Sequence, residues 1–154
     1  MSLSEGLNNV ESASGFRLER FVEAQQGVFE QACAELRRGR KTGHWMWFVF
    51  PQIAGLGFSE TSRRYAIGSL AEARAYVAHP VLGPRLREVS AIVLWIEGRT
   101  AYEIFGSPDD MKLRSSMTLF ARAAEENGVF VEVLRKYFGG VEDERTVELM
   151  GRTE

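Results

Sequence analysis

Apolar residues recur at steps of three and four positions along most of the chain, the spacing that collects them on one face of an α-helix. In the first segment with this spacing the apolar positions are Phe21, Ala24, Val28, Phe29, Ala32, Cys33 and Leu36. Arg37 and Arg38 followed by Gly39 indicate the carboxyl end of that helix, because cations and glycine are favoured there. Gly27 predicts a break that leaves a short helix and a longer one.

Serines mark the starts of two further helices. Ser59 is a suitable N-cap for a helix over 60–68, and Ser69 is one for a helix over 70–80. Glu72 lies three positions after Ser69, so we expect these two residues to form a capping box.

The second half of the chain continues the helical pattern. Prolines and a glycine within 80–84 predict a corner, which is followed by a buried helix over 85–98. Ser107 as the cap and Pro108 as the first helical residue predict a helix that ends near Asn127. Two closing helices are expected after it, each followed by a glycine.

These elements predict the fold class. The chain has no internal repeat and no series of alternating strands, so we expect a mainly α, compact single-domain bundle of about seven or eight short helices with little or no sheet. Residues 1–14 are small, polar and aperiodic, and are expected to be a disordered tail. The single helical domain is expected to span 15–154.

Composition and charge exclude several classes of partner. The formal net charge is −2, so the chain has no overall basic field, and we expect neither nucleic acid nor an anionic membrane as a partner. No apolar run approaches the length of a membrane span, and the start of the sequence lacks the pattern of a signal peptide. Cys33 is the only cysteine, which excludes an intrachain disulfide and favours a cytoplasmic location.

The familiar cofactor and metal motifs are missing from the sequence. The stretch GLGFSE, residues 55–60, has Glu60 where a dinucleotide-binding loop needs its third glycine, and there is no Walker motif. His44 and His79 are far apart, and neither has a second His or Cys at helical spacing. We therefore predict no cofactor and no metal.

The stretch KTGHWMWFVFPQ, residues 41–52, is the strongest candidate for a site. In one interpretation it is core, with His44 and the indole nitrogens paired to the backbone. In the other, one face lines a cleft in which Trp47 stacks on a planar ligand and polar side chains hold it. Those polar side chains are Lys41, His44, Gln52, Ser59 and Tyr65.

Two clusters of charged residues bear on the cleft interpretation. Arg40 and Lys41 either complement the end of a helix or hold a phosphate or carboxylate group. In SPDDMKLRSSMTLF, residues 107–120, Asp109 and Lys112 are spaced to pair on a helix, while Ser115 and Ser116 either mark close helix packing or complete a polar stripe facing the cleft.

The resulting hypothesis is a cleft that binds a small anionic molecule with a planar part, such as a nucleotide or phosphoribosyl compound. The proposed catalytic residues are His44, Asp109 and Lys112. The proposed ligand-binding residues are Lys41, Trp47, Gln52, Ser59, Tyr65 and Ser116. The alternative is a non-catalytic interaction domain, whose aromatic run is core and whose protein partner is unknown.

Several blocks of the sequence resemble a known family. They include ELRRGRKTGHWMWFVFPQ, EARAYVAHPVLGPRL and IFGSPDDMKLRSSMTLF, and the likeness runs from about Leu18 to Leu149. The chain resembles the mostly bacterial domain-of-unknown-function family 1810, some members of which carry the label calpastatin. The resemblance implies a mainly α-helical fold and no established activity.

A fainter resemblance concerns HWMWFVFPQ and the alanine-rich helix after it. In outline these segments are similar to the NADAR group, helical proteins of NAD and ADP-ribose metabolism that cleave N-glycosidic bonds. The resemblance indicates the class of ligand. If the protein is an enzyme, we expect an N-glycosidase-like hydrolase, with Asp109 or Asp110 as the carboxylate that glycosidic hydrolysis requires. The acidic residue that precedes the histidine in that group is replaced here by Gly43.

Overall fold

The computed structural model of the chain describes residues 15–153. Within this range the chain forms ten helices. They are α1 (Glu19–Gln25), α2 (Phe29–Arg37), α3 (Met46–Val49), α4 (Glu60–Arg64), α5 (Leu70–Ala78), α6 (Leu82–Trp95), α7 (Ala101–Phe105), α8 (Asp109–Ala123), α9 (Gly128–Phe138) and α10 (Glu144–Gly151). The predicted tail, residues 1–14, lies outside the described residues.

The predicted fold class is confirmed. Residues 15–153 contain no strand, and the only sheet-like pairing among them is one isolated parallel bridge between Ile53 and Ile67. The helices outnumber the seven or eight expected because α3, α4 and α7 are single turns of four or five residues. The predicted break at Gly27 is also confirmed, since it separates α1 from α2 with a positive φ of 72°.

The core is built around α8, which packs against α5, α7, α9 and α10. Leu113, Met117 and Phe120 of this helix are fully buried. Phe120 also belongs to a row of buried rings, with its ring centroid 5.3 Å from that of Tyr76 and 6.1 Å from that of Phe130. Aromatic contacts of this kind stabilise a core beyond the area they bury.

The aromatic run contributes to the core and to the surface. Trp45, Met46, Val49 and Phe50 are buried, whereas the side chains between them at 47 and 48 are half-buried. The run forms the single turn α3, so consecutive side chains point in different directions around the helix. Part of the run is therefore core, and another part is available to line a cleft.

Both predicted serine caps are observed, with one correction. Ser59 Oγ accepts the N–H of Ser62 at 3.1 Å, and Ser69 Oγ accepts the N–H of Glu72 at 3.1 Å. The carboxylate of Glu72 accepts the N–H of Gly68, not that of Ser69, so the predicted capping box is not completed. A capping box does form at Thr100 and Glu103, where sequence reasoning had not placed one.

The corner predicted at 80–84 is shorter than expected, because α6 already begins at Leu82. The Nδ1 atom of His79 accepts the N–H groups of Val81 and Leu82, at 3.1 and 3.2 Å, and so satisfies the first turn. Pro84 fits in that turn because its missing N–H would have no partner within the helix. The helix ends at Trp95, before the predicted Gly98.

The prediction for Ser107 was wrong. The helix α8 begins at Asp109, and Pro108 occupies its N-cap position without a side-chain cap. The helix ends at Ala123 because Ala124 adopts an extended conformation, and the side chain of Asn127 donates a hydrogen bond back to the carbonyl of residue 121 at 2.8 Å.

Two absences among residues 15–153 bear on the class of site. No helix in this range is both long and apolar enough to cross a membrane. In the same range no group of three or more His, Cys, Asp or Glu side chains lies close enough together to hold a metal ion.

Candidate functional site

A cleft of about 510 Å³ lies between α3, the loop 52–57, α4 and the first turn of α8. We call it the Trp47–Tyr65 cleft after its two aromatic lining residues. Its volume is within the range of small-molecule sites, and its lining is mainly apolar with a few polar side chains, as such sites usually are. The cleft is therefore the candidate functional site.

The loop on one side of the cleft is held by backbone pairing. The N–H of Ala54 donates to the carbonyl of Ile67 at 2.8 Å, and the N–H of Ile67 donates to the carbonyl of Gln52 at the same distance. Gly55 has a φ of +105°, which few other residues adopt. A Cβ on Gly57 would lie 2.6 Å from the Ser62 hydroxyl, so this glycine allows the loop to approach α4.

The two aromatic residues of the cleft have different supports. Tyr65 packs edge-to-face on Phe48, with ring centroids 5.3 Å apart, and lies 5.9 Å from Phe21. Trp47 is half-buried, and the ammonium of Lys112 lies 5.0 Å from the centroid of its ring. A cation at that distance is attracted by the ring face, so Lys112 is held inside the cleft.

The polar side chains that line the cleft are either positively charged or neutral. Lys112 and Arg63 contribute positive charges, and Gln52, Ser62 and Ser115 contribute neutral polar groups. No aspartate or glutamate from the described part of the chain is among the lining residues. An anion entering the cleft would therefore meet cations without a competing carboxylate in the wall.

One carboxylate behind the wall joins two lysines. Asp109 Oδ2 lies 2.8 Å from Lys41 Nζ, and Asp109 Oδ1 lies 3.4 Å from Lys112 Nζ. The Lys41 side chain is only 8% exposed, and its ammonium also donates to the carbonyl of Gly43 at 2.6 Å. Because two ammonium groups share one carboxylate, this cluster keeps a net positive charge beside the cleft.

A different carboxylate, which is buried, fixes the segment that leads into α3. Glu35, on α2, is 1% exposed. Its Oε1 accepts the N–H groups of Thr42 and Gly43, at 2.7 and 2.8 Å, and the indole N–H of Trp45 at 3.0 Å. The other oxygen accepts the side-chain amide of Gln31 at 2.8 Å. These bonds set where α3 begins and hence the position of Trp47.

The same contacts explain the titration of Glu35. Burial alone would raise the pKa of this carboxyl group. The hydrogen bonds from Gly43, Gln31, Thr42 and Trp45 outweigh burial and lower the pKa to about 2. Glu35 is consequently an ionised, fully hydrogen-bonded anchor at neutral pH, without an ion-pair partner among residues 15–153.

The structure brings together four of the residues proposed from the sequence. Trp47, Gln52, Tyr65 and Lys112 all line the cleft. Lys41 and Asp109 do not line the cleft. They are connected to it through the ion pair between Asp109 and the lining residue Lys112.

Three of the proposed residues lie elsewhere. His44 is exposed and is not among the lining residues, because the turn that leads into α3 directs Trp45 inward and His44 outward. Ser59 is exposed and caps α4. Ser116 is fully buried and its hydroxyl has no partner within 15–153, so the polar stripe on α8 faces the cleft through Ser115 instead.

Sequence reasoning missed three important residues. Ser62 and Arg63 line the cleft because α4 follows the glycine loop directly, and nothing in their own sequence context distinguishes them from surface residues. Glu35 did carry a signal, since it is an acid next to Leu36 on an otherwise apolar face. A buried acid at such a position needs hydrogen-bond donors, which the glycine-containing segment 42–45 supplies.

Comparisons with known proteins agree with the helical fold. The family model described as "Protein of unknown function (DUF1810)" matches residues 15–150, and the chain belongs to this family. The chain is similar to the crystal structure of the conserved hypothetical protein Rv1873 from Mycobacterium tuberculosis, with 58% identity and a TM-score of 0.88, over 89% of this chain and 98% of that one. No curated protein matches the chain.

Proposed function

We propose that this DUF1810 chain binds a small anionic molecule with a planar part in the Trp47–Tyr65 cleft. The observation that supports this most is the Lys112 ammonium, which lies 5.0 Å from the Trp47 ring centroid in a wall without carboxylates. An aromatic surface beside a cation suits a ligand whose ring is attached to a phosphate or carboxylate.

The remaining lining residues have distinct roles in this proposal. Arg63 adds a second cation at the mouth of the cleft, where an exposed guanidinium suits an oxyanion. Gln52, Ser62 and Ser115 provide the donors and acceptors that orient a ligand. Ser115 is already engaged, since its hydroxyl donates to the carbonyl of Met111 at 3.2 Å. Gln52 and Ser62 are therefore the main candidates for ligand hydrogen bonds.

The geometry favours binding over N-glycoside hydrolysis. Hydrolysis needs a carboxylate close enough to the sugar to stabilise its positive charge or to activate water. Asp109, the proposed carboxylate, is paired with two lysines and lies outside the lining. Asp110 accepts the N–H of Met111 at 2.8 Å. The catalytic roles proposed for His44, Asp109 and Lys112 stay predictions, and they are tested by incubating each bound ligand with the protein and looking for cleavage.

The experiment is a thermal-shift and calorimetric screen. Its panel contains NAD, ADP-ribose, mononucleotides and sugar phosphates, the ligand classes indicated by the cleft and by the NADAR resemblance. A ligand at a hundredfold excess over its dissociation constant stabilises the folded state by about 2.7 kcal/mol. We expect at least one anionic planar ligand to raise the midpoint, and the non-phosphorylated nucleoside to bind at least about tenfold more weakly.

Substitutions of lining residues test whether the ligand binds in the cleft. Trp47→Leu and Lys112→Met should each weaken binding by about tenfold or more, because each removes a main contact of the ligand. Trp95→Leu is the matched control, since Trp95 is 77% exposed and lies on α6, away from the cleft. Equal losses in all three variants, or no binding by any member of the panel, would contradict the proposal.

A protein-interaction domain is the second candidate, and the exposure of Trp95 favours it. This indole lies beside Ile92 and Ile96 in a groove of about 390 Å³ that is lined mainly by apolar atoms. Large exposed apolar residues often mark protein contacts. Sedimentation equilibrium of the wild type and of Trp95→Ser tests a second copy as the partner. A mass that rises with concentration only in the wild type would support this candidate.

A cytoplasmic location is part of the proposal as well. It is supported by the single cysteine, Cys33, which is buried and cannot form an intrachain disulfide. Its thiol has a raised pKa of about 11, mainly because of burial, so Cys33 is a poor nucleophile at neutral pH.

A further inference from the structure

A further pocket, of about 430 Å³, opens next to Lys41 and has a different character from the cleft. Its charged lining residues are Arg40, Lys41, Arg99 and Glu103. We call it the Arg40–Arg99 pocket. It shares no lining residue with the Trp47–Tyr65 cleft, so it is a separate cavity.

The pocket carries an excess of positive charge. The charge of Lys41 is balanced by Asp109, 2.8 Å away. Neither the Arg40 nor the Arg99 side chain has a hydrogen bond or an ion pair to any residue within 15–153. Glu103 is the only acid in the lining, and its Oε1 already accepts the N–H of Thr100 at 2.9 Å. Two guanidinium groups without a close polar contact within 15–153 therefore line the pocket with one carboxylate, which is partly engaged and attracts Arg99 electrostatically.

The two arginines lie on segments that are fixed to each other. The N–H of Lys41 donates to the carbonyl of Ile104 at 2.7 Å, which ties the segment after α2 to α7. Gly39 has a φ of +81°, and a Cβ there would lie 3.0 Å from Arg99 Nε. The side chain of Arg99 thus lies against the Gly39 backbone, immediately before Arg40. This contact places the Arg99 side chain beside the backbone that precedes Arg40, and Glu103 also attracts it electrostatically.

We propose that the Arg40–Arg99 pocket is a second anion site, which binds a phosphate group. A guanidinium group presents several N–H donors in the geometry that phosphate oxygens accept, and two such groups line this pocket. The site stands independently of the cleft ligand, because its cations are different residues. Its phosphate comes either as a free anion or as the distal group of a ligand that also enters the cleft.

The test is a ¹H–¹⁵N NMR titration of the full chain with inorganic phosphate at constant ionic strength. The amides of Arg40, Arg99 and Gly106 should shift, because these residues line the pocket, while those of Gly55 and Gly57 in the cleft should not. Arg40→Gln and Arg99→Gln should each weaken phosphate binding about tenfold or more. Arg99→Lys keeps the charge but loses the planar fork, so its binding should fall between that of Arg99→Gln and that of the wild type.

Arg74→Gln is the matched control. Arg74 is exposed, has no ion pair in the described part of the chain and lies on α5, outside the pocket. The Arg74→Gln substitution should leave phosphate affinity unchanged. An equal loss in Arg74→Gln, or shifts confined to the amides of Gly55 and Gly57, would overturn the proposal. So would the absence of any shift up to about 10 mM phosphate.

A second arm of the titration distinguishes the two sources of phosphate. A mononucleotide that shifts both sets of amides with one dissociation constant, lost in Arg99→Gln and in Trp47→Leu alike, would identify one ligand that spans both cavities. Binding of inorganic phosphate at the pocket, unaffected by Trp47→Leu, would identify a free-anion site. Either outcome supports the pocket, and neither depends on whether the cleft binds a planar group.

Discussion

Replacing Glu35 with Gln tests whether a buried carboxylate organises the aromatic segment. The substitution keeps the size of the side chain and one acceptor oxygen, so Thr42, Gly43 and Trp45 still find a partner. It removes the negative charge that strengthens those hydrogen bonds. It also places a second amide next to the amide of Gln31.

The magnitude follows from the titration of this group. The pKa of Glu35 is lowered from its ordinary value of 4.5 to about 2, a difference worth about 3 kcal/mol. Because the folded-state pKa lies below the unfolded value, the carboxylate stabilises the fold fully above about pH 5. The contribution is lost as the pH falls toward 2, and about 2 kcal/mol of it has gone by pH 3. We expect Glu35→Gln to lose about 2–3 kcal/mol at pH 7, and much less at pH 3.

The assay is urea unfolding of the wild type and the variant at pH 7, 5, 4 and 3. Glu30→Gln is the matched control, since Glu30 lies on the same helix and is exposed. The free energy of unfolding should fall more steeply with acid in the wild type than in Glu35→Gln, with the control following the wild type. A Glu35→Gln protein within about 0.5 kcal/mol of the wild type at pH 7, or with the same pH dependence, would refute the reasoning.

Three further predictions concern stability. Ser116→Ala should leave the free energy of unfolding unchanged or raise it by up to about 1 kcal/mol, because the buried Ser116 hydroxyl has no partner within 15–153. A clear loss of stability in urea unfolding would reveal an interaction of that hydroxyl. Gly83→Ala should destabilise by about 1–3 kcal/mol, because its Cβ would lie 2.1 Å from the carbonyl oxygen of Val77; an unchanged urea midpoint would contradict this close approach. Asp109→Asn should lower the free energy of unfolding by about 1–2 kcal/mol, because it leaves the Lys41 ammonium unpaired, and Asp110→Asn is its control.

The fold was predictable because helical spacing and caps are local signals. The break at Gly27 and the caps at Ser59 and Ser69 depend on residues close together in the sequence, and the structure confirms all three. The errors arose where a boundary depended on a local interaction that no residue pattern marks. The start of α6 is set by the His79 ring, and the end of α8 by the backbone at Ala124, neither of which has a sequence pattern that announces it.

The candidate site was predictable only in part. Composition and spacing marked residues 41–52 as either core or the wall of a cleft, and they could not assign each residue to a side. That assignment depends on the direction in which a single helical turn points, and α3 has only four residues. The same limit explains Ser116, since a shift of one residue on a helix rotates a side chain by about 100°. Ser115 faces the cleft for that reason, and Ser116 does not.

The position of Trp47 is set by buried polar groups that never touch the cleft. At the start of α3, Glu35 accepts the indole N–H of Trp45, and at its other end Gln25 donates to the carbonyl of Phe48 at 2.7 Å. Both anchors are almost fully buried, at 1% and 2% exposure. A single turn cannot hold itself in one orientation, because so short a helix is not stable alone. Substitutions at either anchor should therefore alter ligand affinity in the cleft as well as stability. A Glu35→Gln protein that is less stable but binds the ligand with unchanged affinity would show that Trp47 is positioned by the apolar packing of α3 alone.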